Sequence, residues 1–206
     1  MTTATISEQS RSRGRPREFD MEAALDKALG VFSERGYHAA SISELTDAMG
    51  LASGSVYKAF KDKHGIFLAA FDRYRAVRRA LLDARMATAA TGREKVREVL
   101  TFYAISSHGE SGKRGCLVVS SAKELAIFDE EAAERVAGAF AANEKLLLDL
   151  IHLGQSDGSI PKTLDAATAA RALLCLIKGM RVVGKTGRTE EDMNTVAQAA
   201  MKLLTP

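Results

Sequence analysis

Ser53, Gly54, Ser55, Tyr57 and Lys58 crowd hydroxyls, a phenol and an ammonium into one short run, and Lys61 and Lys63 follow at once. Such groups donate to phosphate oxygens and to base edges, and no nucleophile motif or paired acidic set accompanies them. The chemistry this run suits is recognition of a DNA duplex. On that reading Ser53, Gly54, Ser55 and Lys58 face the major groove, and Gly54, without a Cβ, lets the backbone come close. Ser41, Tyr57 and Lys63 then hold phosphates, contacts that set register without carrying sequence information.

Presenting that face takes two short helices joined by a tight turn. Ser41 and Glu44 have capping-box spacing, so each side chain satisfies an orphan amide at a helix start. Ile42, Leu45 and Met49 fall on one helical face, and Gly50 supplies the permissive residue just past the end. After the turn, Val56 and Phe60 lie one helical turn apart and pack back on the first helix. Residues 41–63 read as a helix-turn-helix. The plainer alternative is a helical hairpin whose polar face is only solvated. Upstream, Arg11, Arg13, Arg15 and Arg17 alternate with small residues and Pro16. Such a basic arm suits a phosphate backbone or a minor groove, and is otherwise a solvated tail.

Asp20 is placed to cap an earlier helix, with Ala24, Leu25, Ala28, Leu29 and Phe32 as its buried stripe and Gly36 at its end. That helix completes a three-helix head. From about Asp62 a long helix follows, with Ile66, Phe67, Ala70, Phe71, Tyr74, Val77 and Leu81 spaced for burial. Arg73, Arg75, Arg78 and Arg79 form a solvated face along it. Further helical patterns run over 93–107, 115–126, 129–153, 165–183 and 190–204, capped among others by Asp165 and by Thr189 with Asp192. The penultimate pattern is apolar all round, through Ala166, Ala167, Ala169, Ala170, Ala172, Leu173, Leu174, Leu176 and Ile177. A second copy of the chain is the economical cover for such a helix, giving a two-fold homodimer through the last two helices. The expected architecture is all-α: an arm over 1–18, a helix-turn-helix domain over 19–63, and a helical ligand-binding and dimerisation domain over 64–206.

Composition agrees. A chain of 206 residues, 46% hydrophobic, can bury one good core or a small domain fused to a larger one. The formal charge of +3 says little about a nucleic-acid partner. What matters is placement: residues 51–63 carry three lysines against one aspartate. No stretch approaches the roughly 18 apolar residues of a membrane span, and the polar N-terminus lacks a secretory core. Cys116 and Cys175 give no disulfide framework and suit a reducing cytosol. His38, His64, His108 and His152 lack metal-ligand spacing. Neither metal nor cofactor is expected, and the chain does not read as an enzyme.

One motif argues the other way. Gly179 to Thr186 matches the phosphate-binding G-x-x-x-x-G-K-[ST] pattern. A phosphate loop needs a buried strand before it and a helix opening within it. Here the preceding residues show helical periodicity and the next capping signal comes only at Thr189. Gly184 therefore ends the penultimate helix and Lys185 complements its negative end. A nucleotide-binding protein using Gly179–Thr186 stands as the alternative.

Residues 15–74 resemble the N-terminal domain of the TetR family of bacterial transcriptional regulators. The family pattern is a glycine-ended first helix, a Thr/Ser-Ile/Val pair, then Gly-Val-Ser-x-Gly-x-Leu-Tyr-x-x-Phe-x-x-Lys. Those places read Gly36, Ser41-Ile42, and the run Gly50 to Lys63. Ala52 departs from the usual serine and removes a hydroxyl cap, Thr46 and Met49 replace small alanines, and Ala59 replaces a frequent histidine. The resemblance implies a homodimer that binds a palindromic double-stranded operator, usually represses, and is released by a small molecule in the C-terminal domain. Gly115-Cys116-Leu117 is similar to a motif opening the sixth helix in one branch of the family. Phe102, Tyr103, Cys116, Phe128, Phe140 and Asn143 sit on helices expected to surround the ligand cavity; ordinary core packing is the other reading of each aromatic. Cys116 follows Lys113 and Arg114 at a helix start, where positive charge lowers a thiol pKa. A redox- or electrophile-sensing regulator using Cys116 is a further alternative, against a plain buried thiol.

Overall fold

The computed structural model describes residues 18–205, with side chains from residue 21, and every regular element among them is a helix. Arg15 and the rest of the basic arm lie outside the described residues. The head comprises α1 (Glu18–Ala39), α2 (Ile42–Met49) and α3 (Ser53–Phe60), and α4 (Lys63–Met86) leads away from it. The body comprises α5 (Gly92–Ile105), α6 (Gly109–Arg114), α7 (Leu117–Glu124), α8 (Glu130–Asp157), α9 (Ala166–Val183) and α10 (Glu190–Ala200). A 3-10 turn over Gly184–Thr186 follows α9, and another over Met201–Leu204 extends α10.

Local chemistry sets most of these boundaries. Gly36 takes φ 77°, a left-handed conformation that breaks α1 one turn before its end. Ser41 and Glu44 form the full capping box at α2, as do Thr91 with Glu94 at α5 and Thr189 with Asp192 at α10. Asp62, Asp129 and Asp165 cap α4, α8 and α9 through their carboxylates. Ala52 opens α3 with no side-chain cap. Thr46 is accommodated in the head core because its hydroxyl donates to the Ile42 carbonyl at 2.7 Å.

Four sequence expectations need correction. Residues 109–114, read as a break, form α6, and α8 continues through Gln155 and Ser156 to end at Gly158. Leu81 is 55% exposed, because the buried stripe of α4 moves to Leu82 and Met86 where α5 and α8 replace α1 as its neighbours. The arginines of α4 are not one solvated face. Arg73 clamps Asp26 and Glu22 of α1, while Arg78 turns inward. The apolar interior forms two cores. One core joins Ala24, Ala28, Phe32, Leu45, Met49, Val56 and Phe67 to Cys116, Leu117, Val118, Leu125, Ala132 and Val136 of the body. The second core gathers the end of α4 with α5, α9, α10 and the latter half of α8. There, Gly92 lets α5 touch the α8 backbone at Leu150 and Gly154, while a Cβ on Gly154 would strike the Ile160 side chain.

Candidate functional site

Packing leaves α3 with one buried side, occupied by Val56, and an outer side carrying Ser53, Gly54, Ser55, Tyr57 and Lys58, all exposed. Tyr57 is 51% exposed, so its ring is not spent in the hairpin core. A Cβ added at Gly54 would meet nothing within 4 Å, so the fold itself does not require glycine there. The predicted groove-facing set is thus brought together on one free surface.

Ser41 and Lys63 are engaged within the protein. The Ser41 hydroxyl donates to Glu44 Oε2 at 3.0 Å and accepts from the Glu44 amide at 3.1 Å. The Lys63 ammonium donates to the carbonyls of Tyr37 and Ala40, both at 3.0 Å, and lies 4.6 Å from the Tyr37 ring centroid. It therefore neutralises the negative end of α1 from the start of α4. Lysines this close to the turn read from sequence as phosphate ligands; the carbonyls opposite them are invisible there.

A cavity of about 320 Å³ opens between α4, α5, α7, α8 and α9. Phe102, Tyr103, Cys116 and Asn143 line it, joined by Tyr74, Arg75, Arg78 and Lys178. Phe140 is not among the lining side chains; it packs against the first core, its ring centroid 5.2 Å from the Lys178 ammonium. Phe128 does not line the cavity either. It is 84% exposed in the turn between α7 and α8, because Leu125 takes the buried place at the end of α7. Arg78 donates to Ser106 Oγ at 3.0 Å and lies 4.4 Å from the Phe102 ring centroid.

Cys116 sits at the start of α7, 5% exposed. Burial alone would push its thiol up. Arg181, the Tyr74 hydroxyl, the Val119 amide and Lys178 pull it down, and the balance lies below the ordinary thiol range. The Tyr74 hydroxyl donates to the sulfur at 3.6 Å, and burial holds that phenol well above its usual range. The expected cationic neighbours are not the ones present. Lys113 is exposed and paired with Glu110 at 3.1 Å, whereas the charges beside the thiol come from α9. Burial, with Arg78 and Arg181 nearby, lowers the Lys178 ammonium to about 8.

The short helix α7 connects this cavity to the head. At its far end the Glu124 carboxylate accepts from the Tyr37 amide at 3.1 Å, directly after the Gly36 break, and the Glu124 carbonyl lies 3.3 Å from His38 Nε2. A parallel link joins His64 Nε2 at the start of α4 to Asp129 Oδ2, the cap of α8, at 2.6 Å. Sequence reasoning missed Glu124, Arg78, Lys178 and Arg181. Arg181 stood inside the Gly179–Thr186 motif. Gly179–Val183 belong to α9 and Gly184–Thr186 form its 3-10 extension, with no strand before them, so the backbone makes no phosphate cradle.

Residues 24–70 match the family model of bacterial regulatory proteins, tetR family, and residues 92–200 match that of the tetracyclin repressor-like C-terminal domain. The chain is 29% identical over 206 residues to the HTH-type transcriptional repressor ComR of Escherichia coli, covering 98% of this chain and 97% of that protein. Among solved structures, a cysteine-substituted CifR, a TetR family transcriptional regulator in complex with 26-bp operator DNA, is 28% identical with a TM-score of 0.78. The match covers 91% of this chain and 98% of that one. FadR of Bacillus subtilis, solved with stearoyl-CoA, shares the fold at 20% identity and a TM-score of 0.70, over 90% of this chain and 97% of that one.

Two measurements check this geometry. Lys63→Met, which leaves the α1 carbonyls without their cation, should lower stability in urea by about 1–3 kcal/mol even without DNA; an unchanged midpoint removes the capping role. Lys178 binds its proton less tightly folded than unfolded, so the penalty of burying its charge is full below pH 8 and is relieved as pH rises from about 8 toward 10.5. Relative to Lys178→Met, the wild type should therefore gain about 1 kcal/mol of unfolding free energy per pH unit across that window. A flat difference shows that Lys178 is not desolvated.

Proposed function

The chain belongs to the TetR family of bacterial regulatory proteins, and from that membership we propose that it is a homodimeric repressor released from a palindromic operator by a small molecule in the body cavity. The observation that carries this reading is the free polar side of α3, with Ser53, Ser55, Tyr57 and Lys58 exposed around one buried valine. In the reading, α3 enters the major groove with Ser53, Gly54, Ser55 and Lys58 toward the bases, while Tyr57 and Ser41 lie against phosphates and Arg15 reaches along the backbone. Lys63 contributes as a cation fixed by the α1 carbonyls rather than as a free arm.

Two heads are needed to read a palindrome, and the outer sides of α9 and the α10 extension support a two-fold joint. Ala172, Cys175, Gly179, Val182 and Val183 lie along one side of α9 outside its buried stripe, and Leu203 is exposed on the adjacent turn. Small side chains followed by valines let two copies of α9 approach closely. Release then runs through α7. A ligand pressing on Cys116 at one end displaces Glu124 at the other, and Glu124 holds the backbone of Tyr37 where α1 breaks. Because the two cores share α8 and α4, that displacement changes the spacing of the paired heads.

Selection of bound duplexes from a random library tests the DNA assignment. It should enrich a two-fold symmetric site bound about a thousandfold tighter than random DNA at fixed salt, with Lys58→Ala relaxing preference within the half-site. Recovery of no common sequence refutes it. A second reading, in which an electrophile on Cys116 is the trigger, is favoured by the thiol's depressed pKa beside Arg181. In a Cys175→Ser background, N-ethylmaleimide should then release operator, and Cys116→Ser should abolish that release; release that survives the second change excludes it.

A further inference from the structure

We propose that the body cavity is a receptor for organic anions, and that its effector is a small carboxylate with an aromatic or alicyclic body. This rests on the cavity being the effector site, and it adds the charge and shape of what enters.

Charge around the cavity is unbalanced. Arg75, Arg78 and Lys178 line it, and Arg181 lies behind Cys116. Arg79 also lines it but is neutralised by Asp83 at 2.8 Å. Against these stands one lining carboxylate, Asp72, which is held by Arg135 at 3.3 Å. Lys178 makes no ion pair among the described residues; its ammonium rests 5.3 Å from the Tyr103 ring centroid and 5.2 Å from that of Phe140. Among the same residues Arg78 is held by the neutral Ser106 hydroxyl and by aromatic faces, with no carboxylate on it. Arg181 is 3% exposed, and although one nitrogen donates to the Gly115 carbonyl, its Nε and Nη1 have no partner among the described residues. Even a fully ionised Cys116 offsets only one of these charges.

Buried cations without counter-charges cost several kcal/mol and are not a way to make a core stable. They are a way to bind an anion, since a carboxylate placed among them gains charge-assisted hydrogen bonds in a medium that screens poorly. Donors outnumber acceptors here: two guanidinium groups, an ammonium and the Tyr103 hydroxyl, with Asn143 beside that phenol. The remaining wall is largely apolar, made of the rings of Phe102, Tyr103 and Tyr74 with Leu82 and Val118. A volume of about 320 Å³ admits a ring with a short acidic tail, and its carboxylate would lie between Arg78 and Lys178.

The test uses isosteric pairs. Phenylalkanoates from benzoate to 6-phenylhexanoate, each with its primary amide, are titrated calorimetrically against the full-length protein. At least one acid should bind, about tenfold or more tighter than its amide, which is the loss of one charge-assisted hydrogen bond. Lys178→Met should erase that preference while leaving the fold intact, because it removes a buried charge rather than adding one. Amides that bind as well as the acids overturn the anion assignment and leave the cavity as an effector site for neutral molecules. If no member of either series binds at millimolar concentration, the cavity is not a site for this class at all, and the proposal falls with it. Operator binding is followed separately, so that loss of DNA recognition is not confused with loss of the anion.

Discussion

The head cannot close its own interior. Three helices, two of them of eight residues, surround Phe32, Leu45, Val56 and Phe67, and the side of that cluster facing the body would be wet without α7 and α8. Leu117, Val118, Leu125 and Val136 supply the missing wall. Burial of apolar surface is what chiefly holds so small a unit together, so part of the head's stability comes from the body. The packing that couples the two is the same packing that stabilises both. The Glu124 contact with the Tyr37 amide adds direction to that coupling by fixing α7 to the one place where α1 is already broken.

Ion placement follows a different logic at the two ends of the molecule. In the head, Lys63, Arg73 and Glu44 each answer a specific carbonyl, carboxylate or amide, so their charges are consumed locally. In the cavity, Arg78, Lys178 and Arg181 meet aromatic faces and a thiol instead. These charges at the head are thus matched by specific partners, whereas Arg78, Lys178 and Arg181 have no carboxylate partner among the described residues.

Much of the fold was legible because its signals are short-range. Capping pairs such as Ser41 with Glu44, the glycine at 50 and the spacing of Val56 with Phe60 are read within one helical turn, and the structure keeps each of them. The family membership was carried by the same run. What escaped was long-range. Lys63 reads as a free lysine unless the Tyr37 and Ala40 carbonyls are placed opposite it. The cations beside Cys116 come from α9, not from the adjacent Lys113 and Arg114. Phe128 had the right residue type in the right segment, but the turn after α7 points it to solvent. Arg78 shared its helix face with solvated arginines until α5 was packed against it.

The open space around Gly54 has a bearing on how such a protein diversifies. Nothing in the interior leans on that position, and the neighbouring Ser53, Ser55 and Lys58 are equally unburdened by packing. On the reading proposed above, the alphabet that α3 presents to a duplex can therefore be rewritten one letter at a time without disturbing the scaffold beneath it. After gene duplication, a copy could then drift to a new address on the chromosome while the body and its cavity stay unchanged.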